Sequence, residues 1–313
     1  MDERQLLYPL YYKFLMWLFT FFNKYRMHNS INLLKRKGTL ITSNGFKLKF
    51  NKYNKKDIKN LYMFNNIYGV LFSGSLSEND GFWHYRDNII ETPEGIKLYA
   101  NTFYPLVFAE TYLYDIHFID FYFENKVIVQ AGGFIGDTAL YYALRGAVVY
   151  SFEPEINSFH KALENLGLNP DLSNRIVIKN YAIGNDSEIE FPIDVKVSGK
   201  ASALNVDEKK TVKTRSVSLK TILNEFNISD PYLLDLDIKG KELDIIEDNN
   251  VKKFEVVRIE YAYSPIKNNV DLSKKNEIIK KLKDYGFKNF RIFKHNELIY
   301  DLNEHGTIIA KKS

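Results

Sequence analysis

Val127-Ile-Val-Gln-Ala-Gly-Gly-Phe-Ile-Gly136 is the stretch whose reading decides how this chain folds. An apolar, β-branched run ends in glycines and flows into a helical pattern, Asp137-Thr-Ala-Leu-Tyr-Tyr-Ala-Leu-Arg145. A second apolar run, Ala147 to Phe152, then ends on the acid Glu153. Strand, glycine turn, helix and acid-terminated strand in that order form the first half of a nucleotide-binding α/β sheet. Glycines let a backbone approach its ligand closely, and the helix N-terminus offers free N–H groups. A carboxylate ending the second strand can accept hydrogen bonds from both hydroxyls of a ribose. A purely structural glycine turn is the alternative; the order and spacing favour the nucleotide.

Two frameworks compete for the glycines. As G-x-G-x-x-G, Ala131 to Gly136 is a dinucleotide fingerprint whose first glycine is alanine, which suits an NAD(P)-dependent oxidoreductase. As acid-x-G-x-x-x-G, it is the first motif of S-adenosylmethionine (SAM) methyltransferases with Gln130 in place of the acid. Each reading has one defect, and on these residues both stay open.

Composition narrows the classes. The 313 residues hold one large domain plus an appendage, or two modest domains, and 45% hydrophobic content is ample for a core. With no cysteine, disulfides, thiolate metal sites and cysteine nucleophiles are excluded. The six histidines lack H-x-x-x-H or H-E-x-x-H spacing, so no metal site is expected. A formal charge of +4 is too mild to argue for nucleic acid, and no nucleic-acid-binding motif is visible.

Residues 6–22 are almost wholly apolar, interrupted by Pro9, Lys13 and Thr20. Seventeen residues are at the lower limit for spanning a bilayer. A lysine near the centre costs about 2.5–3.5 kcal/mol on insertion scales. There is no small-residue cleavage site, so a secretory signal is not expected. The cations behind the run, Lys24, Arg26, Lys35, Arg36 and Lys37, suit an interfacial helix on an anionic surface. A helix packed on the domain or in a dimer contact is the competing reading. We therefore expect a helical segment over 1–37, a small, partly β accessory region over 38–91, and the main domain over 92–313. Phe82, Trp83 and Tyr85 are expected to be core rather than a substrate pocket.

From Thr92 the pattern is β/α alternation. Strands are predicted at 126–131, 147–152, 175–181, 232–238 and 256–262, with a peripheral strand at 188–197. Helices are predicted at 135–145, 155–165, 218–226, 242–248 and 273–284. Two more runs, Phe287 to Phe293 and Gly306 to Lys311, are joined by a polar loop.

From Thr92 onward the chain also resembles the FkbM-like family of class I SAM-dependent methyltransferases. The matching segments are Thr92-Pro-Glu-Gly-Ile-Lys-Leu98, Phe108-Ala-Glu-Thr-Tyr-Leu-Tyr-Asp-Ile-His-Phe118 and Gly136-Asp-Thr-Ala-Leu-Tyr-Tyr142. Tyr150-Ser-Phe-Glu-Pro154, Asn180-Tyr-Ala-Ile-Gly184 and Leu233-Leu-Asp-Leu-Asp-Ile-Lys-Gly-Lys-Glu242 follow in the family's order. The last resembles the strand-four signature L-K-I-D-V-E-G-A-E, with Asp235 in place of Lys, Lys239 in place of Glu and Lys241 in place of Ala. Residues 235, 237 and 239 share a face of an extended strand, so Lys and acid have traded ends of one row, as in a swapped ion pair. Gln130 makes a charge-assisted contact neutral, about half as strong. A non-catalytic scaffold is what these departures would otherwise suit.

The resemblance implies a Rossmann-like α/β fold, a seven-stranded mixed sheet with helices on both faces, one strand of its closing hairpin antiparallel, plus an N-terminal helical and β appendage. It implies SAM as cofactor and a hydroxylated small molecule or glycan as methyl acceptor. Gln130, Gly132, Gly133, Gly136, Asp137, Thr138, Glu153, Tyr181 and Ala182 are the expected cofactor residues. Asp237 is the expected catalytic acid or base, and Glu110, Ser202, Glu242 and Glu260 the expected acceptor side. A cytoplasmic enzyme is expected, with peripheral membrane or dimer contact through 6–22.

Overall fold

The computed structural model describes residues 2–6, 37–41, 47–51, 84–86, 89–92, 95–99, 111, 117, 119, 123–193, 210–238, 241–262, 273–295 and 305–312. The chain divides into two compact units, Met1–Leu6 with Ile116–Ser313, and Leu7–Asp115.

The larger unit is built on one twisted sheet. Its strands are β1 (Val127–Ala131), β2 (Val148–Phe152), β3 (Ile176–Lys179), β4 (Pro231–Leu236), β5 (Val256–Ala262), β6 (Asn289–His295) and β7 (His305–Lys311). They lie in the order β3-β2-β1-β4-β5-β7-β6. β1 to β5 pair in parallel. β7 is antiparallel to both neighbours. The order reverses between β1 and β4, and ligands of open α/β sheets bind at the carboxyl ends of the strands flanking such a switch.

Alternation along the strands divides the sheet into two unlike faces. Val129, Ala131, Leu234, Leu236, Val257 and Ile259 are buried in one apolar cluster. The same cluster takes in Ile222 and Leu223 of α3 (Leu219–Glu225), Ile245 and Ile246 of α4 (Glu242–Ile246), and Ile278 and Leu282 of α5 (Ser273–Asp284). The residues between them, Gln130, Asp235 and Arg258, are polar and wholly buried on the opposite face, under α1 (Asp137–Leu144). A sheet covered on both sides needs apolar strands on both faces; a buried polar row breaks that rule and must be satisfied internally.

Caps end the helices where the sequence placed them. α1 stops at Gly146, whose φ of +94° suits glycine, and the Ala147 N–H reaches back to the Tyr142 carbonyl at 3.2 Å. α2 (Ile156–Gly167) starts with the Glu155 carboxylate accepting from the Ser158 N–H at 2.6 Å. Ser218 caps α3, its side chain accepting from the Thr221 N–H at 3.1 Å.

Three expectations are corrected. Asp2–Leu6, read as part of a helical segment, form a strand that pairs in parallel with β6 and adds an eighth strand at the sheet edge. The free backbone groups of an edge strand favour such pairing over an isolated helical turn. The strand predicted at 175–181 breaks after Lys179. There the Asn180 side chain donates to the carbonyls of Glu153 and Pro154 at 2.8 and 3.0 Å. Tyr181–Ile183 then enters a separate three-stranded sheet with Thr211–Val217 and Ser187–Pro192. Thr211–Val217 was not foreseen, because Thr-Val-Lys-Thr-Arg-Ser-Val carries few apolar residues. Finally, β4 ends at Leu236, so Asp237 lies beyond the strand and no 235-237-239 row exists on it.

The smaller unit contains a hairpin, Lys37–Ile41 with Lys47–Asn51, and a meander of His84–Arg86, Ile89–Glu91 and Lys97–Tyr99. Among the described residues no helix is long and apolar enough to cross a membrane. Residues 7–22 of the apolar run, and Phe82 and Trp83, lie outside the described residues.

Candidate functional site

The site is assembled at the carboxyl ends of β1, β2, β4 and β5. As β1 ends, the Gly132 and Gly133 N–H groups both donate to the Phe152 carbonyl, at 2.9 and 3.0 Å. Gly132 has φ +86°, and a Cβ there would run into the carbonyl oxygen of Asp237. A Cβ on Gly133 would meet the Ser151 hydroxyl. Both positions therefore require glycine, which brings the turn against the end of β4. Gly136, with φ +79°, opens α1. Asp137 and Thr138, buried in the first turn of α1, occupy the favourable place for an acid and a hydroxyl.

Glu153 reaches back across the turn. One carboxylate oxygen accepts from the Phe134 N–H at 2.8 Å, the other from the Glu155 N–H at 2.8 Å. Phe134 sits at φ +42°, a conformation rare for a bulky residue. Two backbone donors hold this carboxylate in one orientation.

The buried polar row crosses four strands at one register level. Gln130 is the partner of Ser151 on one side and Asp235 on the other, and Asp235 is the partner of Arg258. The Ser151 hydroxyl donates to Gln130 Oε1 at 2.9 Å. Arg258 donates to Asp235 Oδ1 at 2.7 Å, and the Tyr142 hydroxyl donates to Asp235 Oδ2 at 2.9 Å. Arg258 Nη1 is also 3.9 Å from Asp237 Oδ2, and Nη2 is 3.5 Å from Glu260 Oε2. His117 closes the cluster, with Nδ1 3.7 Å from Asp235 Oδ2 and Nε2 3.9 Å from Asp237 Oδ2.

Charge states follow from these surroundings. Burial alone would raise Asp235, but Arg258 and His117 outweigh it and hold the carboxyl below its ordinary range. Burial works against the Arg258 cation too, yet Asp235 and its other neighbours keep it protonated. His117 is pushed below the usual histidine value of 6.5, first by burial and then by Arg258. Tyr142 is raised well above 10, by burial and then by Asp235. At neutral pH Arg258 and Asp235 are ionised, while His117 and Tyr142 are neutral.

Asp237 is the accessible end of this cluster, with 30% of its side chain exposed beside wholly buried Asp235 and Arg258. Its N–H donates to the Ala131 carbonyl at 3.0 Å, the last bond between β1 and β4. Glu260, 13% exposed, belongs to the same cluster. Glu242 is buried in the first turn of α4, where an acid is favourable without a ligand. Tyr181 stacks on Phe152 at 6.4 Å, with Arg215 over its ring at 4.8 Å; Ala182 follows on the same short strand. Glu110 and Ser202 lie outside the described residues, as does Lys239.

Sequence reasoning missed His117, Tyr142 and Arg258, and with them the ion pair of Asp235 with Arg258. A signal existed: Asp in Leu-Leu-Asp-Leu and Arg in Val-Val-Arg-Ile are opposite charges at matching depth in two buried strands.

The fold and this edge-on site define a Rossmann-like class I methyltransferase. Residues 130–288 match the family described as Methyltransferase FkbM domain, and the chain belongs to that family of SAM-dependent methyltransferases. Among solved structures it is similar to TYW2 of M. jannaschii in complex with AdoMet (14% identity, 76% of this chain and 88% of that one, TM-score 0.39). It is also similar to precorrin-6y C5,15-methyltransferase of Geobacter metallireducens GS-15 (11% identity, 61% and 81%, TM-score 0.34). A third is magnesium protoporphyrin IX methyltransferase of Synechocystis PCC 6803 with bound SAM (15% identity, 61% and 71%, TM-score 0.36). No curated protein matches the chain by sequence.

Proposed function

We propose that the chain transfers the SAM methyl group to an oxygen of a sugar, a glycan or another hydroxylated small molecule. The observation that carries this reading is the meeting of the glycine turn with Asp237: the residue that closes against Gly132 also presents a partly exposed carboxylate at the same sheet edge. A hydroxyl needs a base or an orienting acceptor to attack a methyl group, and a positioned carboxylate supplies one.

The residues present suit SAM. Gly132 and Gly133 leave bare backbone, and Glu153 offers a fixed carboxylate for the ribose hydroxyls. Gln130, wholly buried, has a side-chain N–H group without a partner among the described residues. Gly136, Asp137 and Thr138 form the first turn of α1 behind the glycines, and Tyr181 and Ala182 follow Asn180 beside Pro154. When bound, SAM supplies an electrophilic methyl group on a sulfonium, and the protein's main task is to hold the acceptor in line with it. Asp237 orients the acceptor hydroxyl and draws its proton, with Glu260 and Glu242 on the acceptor side. The enzyme works in the cytoplasm, with residues 6–22 as its membrane or dimer contact.

The test is calorimetry with SAM and NADH, followed by labelled-methyl transfer from SAM into a panel of methyl glycosides and glycans. SAM heat and transfer abolished by Asp237→Ala support the reading. NADH binding without SAM heat refutes it. SAM binding without transfer to any hydroxylated acceptor would leave a SAM-binding scaffold instead.

A further inference from the structure

Among the described residues, His117 is a buried titratable side chain to which the methyl-transfer reading gives no role. His117 stands before β1, is 2% exposed, and is packed by the rings of Tyr141 and Tyr142 at 6.2 and 6.1 Å. Its Nε2 is 3.4 Å from the Thr138 hydroxyl and 3.9 Å from Asp237 Oδ2; its Nδ1 is 3.7 Å from Asp235 Oδ2. The ring thus lies between a wholly buried carboxylate and the accessible one. An inert core histidine would have its ring nitrogens hydrogen-bonded. Here Nδ1 has no hydrogen-bond partner among the described residues, and the contact with Asp235 is too long to count as one.

We propose that His117 is a positioning residue that acts through Asp237: it receives the proton that Asp237 takes from the acceptor hydroxyl. This rests on the methyl-transfer reading given above. In that reaction the acceptor O–H bond breaks, the new O–CH3 bond forms and one proton is released. The proton passes from the acceptor oxygen to Asp237 Oδ2, then to His117 Nε2, and after product release returns through the partly exposed Asp237 to solvent. Asp235 facing Nδ1 favours the tautomer with its proton there, which makes Nε2 the acceptor, shared with the Thr138 hydroxyl at 3.4 Å.

Charge supports the relay. Arg258 is one cation among three carboxylates, Asp235, Asp237 and Glu260, so the cluster carries −2 with His117 neutral. A proton arriving on His117 brings it to −1, and the transferred methyl group removes the sulfonium's positive charge from the same site. The site's total charge is thereby unchanged across the reaction, which avoids creating a new charge in a buried setting. No other neighbour serves as well: Asp235 is committed to Arg258, Arg258 is already protonated, and Tyr142 has no free site at neutral pH. His117 begins unprotonated there, as an acceptor must.

The experiment follows the His117 imidazole by NMR through a pH titration of the whole protein, free, with SAM and with its neutral thioether product. Its titration midpoint is expected to be lower with SAM than with the thioether by about one pH unit, a tenfold change in proton affinity. Equal midpoints with both ligands bound overturn the relay while leaving the methyl-transfer reading intact. Absence of SAM binding in calorimetry overturns both. A structural role is separated by kinetics with methyl glycosides. His117→Gln is expected to keep SAM affinity and KM while kcat falls about 10²–10⁴-fold. In His117→Ala, free imidazole is expected to restore the rate in proportion to its unprotonated fraction. Undiminished kcat in His117→Gln, or no rescue in a His117→Ala protein that still binds SAM, refutes the proposal.

Discussion

Removing one member of the Arg258–Asp235 pair tests the buried row directly. The atoms are 2.7 Å apart with both side chains wholly buried. At an effective dielectric of about 20 their attraction is roughly 6 kcal/mol. Desolvation costs each ion several kcal/mol, so the pair's net contribution is small, but breaking it costs about 3–5 kcal/mol because one charge stays buried. Arg258→Met should fall at the lower end, since Tyr142 still donates to Asp235 and protonation can neutralise the carboxyl. Asp235→Leu removes the closest carboxylate from Arg258, with Asp237 and Glu260 standing farther off at 3.9 and 3.5 Å. The double variant should lose far less than the sum, apart from about 1–3 kcal/mol for the stranded Tyr142 hydroxyl. Tyr142→Phe in that background should recover the remainder. The assay is urea unfolding followed by far-UV circular dichroism, with hydrogen exchange of β4 and β5 amides. Single losses below about 1 kcal/mol, typical of exposed pairs, or strict additivity in the double variant, would refute the buried-pair account.

The pH dependence has a definite sign. His117 titrates below 6.5 when folded, so the unfolded chain binds the extra proton first, and stability should fall as pH drops below about 6.5. His117→Gln should flatten that limb, and an unchanged limb would mean another group is responsible. Asp235, held low by Arg258, should add a second loss below about pH 3.8, and Tyr142 a loss above about pH 10. Gly133→Ala should destabilise by about 1–3 kcal/mol and recover in large part with Ser151→Ala, since the hydroxyl is what the new methyl meets; thermal melts of the single and double variants decide. Glu153→Ala should weaken SAM binding at least tenfold by calorimetry, about 1.4 kcal/mol; unchanged heat would remove Glu153 from the ribose.

The alternation of the main-sheet strands and their helices, the glycine turn and the acid ending β2 were legible in the chain. Their signals are local: period-two apolar runs, glycines where φ must be positive, and caps within four residues of the turns they close. Asp237 was legible as a carboxylate at a strand end. What lay beyond sequence was its company. Arg258 is 23 residues from Asp235 and Tyr142 is 93, and only the register of β4 against β5 and the laying of α1 across them bring the three together. The ion pair that Asp235 makes with Arg258 forms between strands, because side chains at equal depth in adjacent strands are close neighbours. Local spacing determines where a strand ends; which charge neutralises a buried one depends on pairing across the sheet, and that is decided only when the tertiary structure forms.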